Sequence, residues 1–420
     1  MRRVLLAGLA VFGVLLLAIP AAFAKTDGAT ADPGLTARTI TIGGTYPLSG
    51  PVASYGAIAV GMKAYFSHIN ARRGPDGRRG IYGRQVVWKY YDDTYNPVNS
   101  VQLTRRLVEQ DKVFAVVGSV GTEVNEAVRP YLNSERVPHV LASTGATQFG
   151  SDYRQYPWTI GWQPDYVSEA RIYGTDIRNN KRGAKIAILF QNDSYGRDYV
   201  RGFKAALGTA RVREQVVGEV PYEVTSGPPS SQLARLRATG ADTLMIFVTT
   251  SATIQTYAIL RALNWKPANI YVNNVSAADV WMTTATRVSS ADTVNGSIST
   301  GYLKDPSAPR FANDATVKQY KALMEKYAPR ANANDGTHFY GFAKAHTFVR
   351  AMYKAGRNPT RAGLMRALTS FNETSPYLLS GARIKTSPRD RFMLSHQQLW
   401  RYTNGSWAPI GPLVDGRPRG

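Results

Sequence analysis

KIAILFQNDSYGRDYVRGFKAAL, residues 185–207, sets the fold class. Residues 185–190 are a short apolar run of strand type, polar residues 191–195 end it, and 196–207 read as a helix. The same order continues toward the C-terminus: a strand at 216–222, a helix at 231–239, a strand at 243–248, a helix at 254–263 and a strand at 270–273. Strands and helices alternating at this spacing form βαβ units and hence a parallel sheet.

Toward the N-terminus the pattern occurs once more. Residues 39–43 are a short β-rich run. Residues 55–70 form a helix with Ile58, Met62, Tyr65, Phe66 and Ile69 on one face. Strands follow at 85–91, 113–117 and 138–141, with helices at 98–110 and 124–135 between them. Two α/β lobes in succession are therefore expected. After them come a strand-like run at 296–302, helices at 314–327 and 335–355, and a β-rich end at 393–402. Open parallel sheets bind ligands beyond the carboxyl ends of their strands. Two facing lobes would put those ends around one cleft. The loops in question (46–55, 118–122, 142–147, 191–195, 249–251 and 273–276) are rich in Ser, Thr, Gly, Asn and Tyr. Such loops suit a carboxylate or another polar head group.

The chain of 420 residues is long enough for two domains. Its first residues read as an export signal. Arg2 and Arg3 precede an apolar run over 4–19, Pro20 breaks it, and Ala22-Phe23-Ala24 supplies small residues around a cleavage point. Residues 1–24 are thus expected to be a cleaved signal peptide, and 25–37, rich in Ala, Thr, Gly and Asp, a flexible leader. Past Lys25 no stretch is long and apolar enough to cross a bilayer. The absence of cysteine excludes disulfides, thiolate metal sites and thiol nucleophiles, as well as a lipid-modified cysteine anchor. The net charge of +22 is spread along the chain, and its densest cluster, Arg72-Arg73 with Arg78-Arg79, lies among glycines and Pro75 as a solvated turn. A generally basic surface without a nucleic-acid partner is expected.

Catalytic patterns are missing. There is no G-x-S-x-G elbow, P-loop, G-x-G-x-x-G or H-E-x-x-H. The five histidines show no metal-ligand spacing; His338 and His346 share a helix face and are read as packed side chains. Asp92 and Asp93 are adjacent on a strand and so point to opposite faces, which suits a cap or an edge contact better than an acid/base pair. Gly83 and Gly118 are read as turn residues. No metal, cofactor or enzymatic activity is expected.

The run Tyr46-Pro47-Leu48-Ser49-Gly50-Pro51-Val52-Ala53-Ser54-Tyr55-Gly56 resembles the first signature of branched-chain amino-acid binding proteins. These are type I periplasmic solute-binding proteins of the leucine/isoleucine/valine group, which serve ABC importers. The likeness continues at Tyr91-Asp92-Asp93, Val117-Gly118, residues 138–143, residues 191–196 and Leu263-Asn264-Trp265-Lys266. It spans essentially all of the chain past the leader. Residues 156–164 and 273–276 look like one proteobacterial subfamily within the group.

The resemblance implies a two-lobed α/β fold of the type I periplasmic-binding-protein kind, each lobe a parallel sheet flanked by helices, joined by three hinge crossovers. Lobe 1 would comprise 38–160 plus 298–372, and lobe 2 161–297 plus 373–416. Gly161, Trp162, Gln163, Pro164 and Asp165 would form a hinge strand. A monomer in the periplasm is implied, with a small carboxylate as ligand and membrane permeases as partners. Tyr55 corresponds to an aromatic that closes over the ligand. Thr122 replaces a serine hydroxyl for the ligand carboxylate, and Ser143 matches a position whose backbone contacts the amino acid. Gly145 stands where a threonine is frequent, with Thr144 as its possible replacement. Tyr195 matches a ligand-facing tyrosine, and Thr249 falls where another tyrosine is usual. Asn274 occupies, across a one-residue gap, the place of the glutamate that pairs with the substrate ammonium. An amide cannot neutralise a buried cation, so an aromatic or other organic acid lacking an amine is favoured; Asp279 and Glu123 are the alternatives for an ammonium partner. The structural alternative is that Asn274 caps the helix after its strand. A sensor module of the same fold, reading amides, urea or acids, remains open, although no output domain is readable. A hydrolase is the least favoured class.

Overall fold

The computed structural model describes residues 32–417. Residues 1–31, and with them the expected signal peptide, lie outside the described residues. Two sheets organise the chain. The first contains β1 (Thr39–Tyr46), β2 (Gln85–Asp92), β3 (Val116–Val117), β4 (His139–Ala142) and β5 (Thr159–Gly161), all parallel, in the order β2-β1-β3-β4-β5. The second contains β6 (Ile186–Gln191), β7 (Val216–Tyr222), β8 (Thr243–Phe247), β9 (Asn269–Val272) and β10 (Ile298–Gly301) in parallel. After β10 in chain order comes a small separate hairpin, β11 (Asn372–Thr374) with β12 (Arg383–Lys385). Then β13 (His396–Thr403) and β14 (Ser406–Asp415) add antiparallel to the edge of the second sheet at β10. Every residue of β6 is buried, as expected of a strand with helices on both faces.

Helices cover both sheets, and their starts follow local chemistry. Asn96, Asp165, Asp193, Asp314 and Asp335 each cap a helix N-terminus with a side-chain oxygen. Two helices of the first lobe, Ala57–Ala71 and Gly336–Ala355, cross with backbones in contact. A Cβ on Gly61 would lie 2.0 Å from the His338 carbonyl oxygen, and one on Gly341 would lie 2.1 Å from that of Ile58. The late helix thus returns to lobe 1, where Phe339, Phe342 and Phe348 join the apolar cluster of Ile42, Phe66 and Val117.

Three expectations are corrected. The second crossover falls after β10, not before Ile298, because Ile298 pairs with Tyr271 on one side and Arg401 on the other. The third falls near residue 395, not 372: Phe371, Tyr377, Ile384, Met393 and Leu394 pack in the first-lobe cluster. Residues 32–37 of the expected leader are held in place. Arg361 N donates to Asp32 Oδ2 at 2.6 Å, Thr41 N donates to the Gly34 carbonyl at 2.8 Å, and a Cβ on Gly34 would lie 2.2 Å from Phe114 N. Helix Tyr166–Asn180 was not foreseen, although Tyr166, Ala170, Tyr173 and Ile177 repeat at helical spacing and are all buried. Among the described residues no helix is long and apolar enough to cross a membrane.

Candidate functional site

The loops after the strands of both sheets converge on a cavity of about 150 Å³ between the lobes. Of the residues singled out from the sequence, Tyr55, Thr122, Ser143, Tyr195, Thr249 and Asn274 line it, and so does Gln163 of the expected hinge. Thr144 and Gly145 do not.

On the first-lobe side, the helix Thr122–Ser134 starts at the cavity from Gly121, whose φ of 108° and closeness to the Tyr95 ring (2.6 Å from a hypothetical Cβ) both require glycine. The first-turn N–H groups of such a helix have no partner within it, and their dipole favours an anion. Thr122 Oγ1 meets Thr144 Oγ1 at 2.8 Å. Thr144 therefore orients Thr122 and does not replace a ligand contact at 145. Nor does Gly145 mark a lost side chain: a Cβ there would sit 2.2 Å from the Pro164 carbonyl oxygen and 2.7 Å from the Tyr166 ring. The backbone role implied for Ser143 is likewise limited, because its N–H donates to the Ser119 carbonyl at 2.9 Å. Its hydroxyl donates to the Gly118 carbonyl at 2.8 Å and also meets Lys344 Nζ.

Aromatic rings form most of the remaining wall. Tyr95, Tyr302, Tyr340 and Trp400, none singled out from the sequence, line the cavity together with Tyr166. Tyr166 packs edge-on to Tyr195 (5.0 Å between centroids) and stacks on Tyr199 (4.9 Å). The Tyr195 hydroxyl is buried and makes no hydrogen bond among the described residues, so the wall presents an unmatched polar group. Trp400 is seated by Gly301, since a Cβ there would fall 2.3 Å from the indole. These rings come from strand ends and crossovers, whose convergence no local pattern encodes; the concentration of tyrosine (24 in the chain) is the one available signal.

Asn274 neither caps a helix nor stands alone. It opens the short turn Asn274–Ser276, donates its side-chain amide to the Thr300 carbonyl, and donates its N–H to Glu169 Oε1 at 2.7 Å. Glu169 lies behind it, also bonded to the Tyr173 hydroxyl at 2.7 Å, and burial pushes its carboxyl up to about 7. Asp279 is buried away from the cavity wall, and Glu123 does not line it. Asp305, missed in the sequence, does. Its Oδ1 already accepts from Ser307 N (2.8 Å) and Oγ (2.6 Å). Burial, first, and then the proximity of the two carboxyls push Asp279 up; burial does the same to Asp305. Asp92 and Asp93 fix loops, Asp92 Oδ1 accepting from Leu48 N and Asp93 Oδ2 from Ser100 Oγ, while the cap of the following helix is Asn96 rather than either aspartate.

A ligand-sized cavity between two α/β lobes joined by three crossovers defines a bilobed binding protein of type I architecture. A family model described as "Periplasmic binding protein" matches residues 39–400, and the chain belongs to that family. It is similar to Leu/Ile/Val-binding protein homolog 3 of Brucella melitensis, 29% identical over 208 residues that cover 48% of this chain and 52% of that one. The chain spans about half the length of the curated relatives it matches. Among solved structures, it resembles a branched-chain amino acid ABC transporter protein from Thermus thermophilus with bound valine (TM-score 0.76, 16% identity, 90% of this chain and 97% of that one). It also resembles a solute-binding protein from Rhodopseudomonas palustris in complex with 3,4-dihydroxybenzoic acid (TM-score 0.72, 18% identity, 90% and 98%). At 16–18% identity these likenesses show a shared fold alone.

Proposed function

We propose that the chain is the extracytoplasmic, non-catalytic solute-binding component of an ABC importer of the branched-chain amino acid type, working in the periplasm, and that its cargo is a small aromatic or other organic acid. The observation that carries the ligand reading is the composition of the cavity wall: six tyrosines and one tryptophan around a hydroxyl-lined helix N-terminus. Rings hold a flat apolar body, and the Thr122 end suits its carboxylate. The volume is about that of an engineered cavity that admits benzene. The bound ligand of the Rhodopseudomonas relative, a dihydroxybenzoic acid, has this chemistry.

An α-amino acid is the second reading, favoured by Asp305 on the wall and by the valine in the Thermus relative. Against it, Asp305 is bonded to Ser307, and its carboxyl is pushed up by burial. A thermal-shift series with 4-hydroxybenzoate, 3,4-dihydroxybenzoate, octanoate, L-leucine and L-valine separates the two. A ligand at about 100 times its Kd stabilises by roughly 2.7 kcal/mol. Stabilisation by leucine or valine and by no acid lacking an amine overturns the organic-acid reading; stabilisation by none of the five overturns both.

A further inference from the structure

Lys344 is fully buried in the helix Gly336–Ala355. A lysine in that position ordinarily has a carboxylate partner, since an unpaired buried ammonium is costly. Here Nζ meets the Ser143 hydroxyl and lies 4.2 Å from the centroid of the Tyr340 ring, and no ion pair involves it among the described residues. Both Ser143 and Tyr340 line the interlobe cavity. Gly118 holds the lysine chain in place from the other side: a Cβ there would fall 3.1 Å from Lys344 Cδ, 2.8 Å from the Tyr46 hydroxyl and 3.2 Å from Met62 Sδ. Among the described residues, the phenol of Tyr340, on its own helix, faces the amine, and that of Tyr46, from β1, lies beside the lysine chain across Gly118. Burial pushes both up, so both stay neutral at physiological pH.

We propose that Lys344 is the specificity-determining cation of the cleft, acting through Ser143 so that only a ligand bringing its own negative charge completes the site. The inference rests on the solute-binding reading but not on whether the ligand carries an amine, because amino acids and organic acids share the carboxylate. Burial lowers the lysine well below its ordinary value. Burial favours the neutral amine in the empty site, and a carboxylate bound against Ser143 favours the ammonium, so binding of an acid and protonation of Lys344 are coupled. Affinity for acids falls as pH rises, since the proton becomes harder to acquire.

Calorimetric titrations of the full chain test this, using 4-hydroxybenzoate and L-leucine, each beside its amide, against the wild type and Lys344→Met. The wild type should prefer an acid to its amide by about a hundredfold, and Lys344→Met should weaken the acid by about 30-fold while leaving the amide within about threefold. A purely structural lysine would lower both affinities alike, and that result, or an unchanged acid preference in the variant, overturns the inference while leaving the solute-binding reading intact. Failure of the wild type to bind any of these compounds defeats the carboxylate reading itself. If the variant does not fold, the wild type alone decides: titrations from about pH 7 to about pH 10 in two buffers of different ionisation enthalpy should show net proton uptake with the acid and none with its amide. No uptake overturns the proposal.

Discussion

The Tyr55 hydroxyl joins the two lobes through Thr250: it accepts from Thr250 Oγ1 at 2.9 Å and from Thr250 N at 3.2 Å. It also donates to the Val275 carbonyl at 3.3 Å. Tyr55 belongs to a turn of the first lobe, whereas Thr250 starts a helix of the second. These bonds exist only while the lobes are together, so their energy goes into closure and, through it, into ligand affinity. Tyr55→Phe keeps the ring in the cavity wall and removes the bridge. Ligand binding should weaken by about 1 kcal/mol, a factor of roughly five, with little change in the unfolding of the ligand-free protein. Unchanged affinity by calorimetry would mean that the bridge contributes nothing to closure.

Gly145→Thr restores the residue frequent in the family and should nonetheless be harmful. The threonine side chain would enter space held by the Pro164 carbonyl, 2.2 Å from Cβ, and by the Tyr166 ring. Tyr166 lines the cavity and packs on Tyr195, so displacing it disturbs the aromatic wall. Overpacking of this kind costs about 1–3 kcal/mol. Both the unfolding midpoint and the affinity for the cognate acid should fall. A variant as stable and as tight as the wild type would show that the hinge beside Pro164 yields readily.

The legible and illegible parts of the chain differ in kind. Alternation of apolar runs and helical faces marked the parallel strands, since each is set by residues close in sequence. The loops at strand ends followed, and the family resemblance picked out within them Tyr55, Thr122, Ser143, Tyr195, Thr249 and Asn274, which line the cavity. What the sequence hid depends on distant partners. Tyr302, Asp305, Tyr340 and Trp400 reach the cavity only because the chain crosses between lobes three times. Lys344 reads as an ordinary polar position of a helix until the fold places Ser143 over it. Thr144 and Gly145 were assigned by position in a motif, and only the Pro164 and Thr122 contacts reveal their roles.

Glu169 should make the protein less stable above neutral pH. Its carboxyl is raised to about 7, chiefly by burial, whereas in the unfolded chain it titrates near its ordinary value. The folded state therefore holds a proton that the unfolded state has released. Stability from this group is fully present below the unfolded value and is lost as pH rises through about 7, amounting to roughly 3 kcal/mol. Glu169→Gln keeps an acceptor for Asn274 N and a partner for the Tyr173 hydroxyl. Denaturant unfolding should show the variant close to the wild type at about pH 5 and more stable than it, by roughly 1–3 kcal/mol, at about pH 8. Parallel pH profiles for the two proteins would place the titration elsewhere.

Gly61 and Gly341 set the distance between the helices Ala57–Ala71 and Gly336–Ala355, each facing a carbonyl of the other helix. In a solvated helix, alanine in place of glycine stabilises by about 1 kcal/mol. At position 61 a Cβ lies 2.0 Å from the His338 carbonyl oxygen, so the helices must part, at a cost of about 3 kcal/mol or more once the aromatic packing around Phe342 loosens. Gly61→Ala and Gly341→Ala should therefore each lower the denaturation midpoint. The two relieve the same contact, because Ile58 and His338 lie one turn from Gly61 and Gly341 on the same pair of helices. Once the first Cβ has separated the backbones, the second meets a wider gap, so the double variant should lose clearly less stability than the sum of the singles. Strict additivity in a denaturant series would mean that each helix adjusts locally and that the crossing is not a single rigid contact.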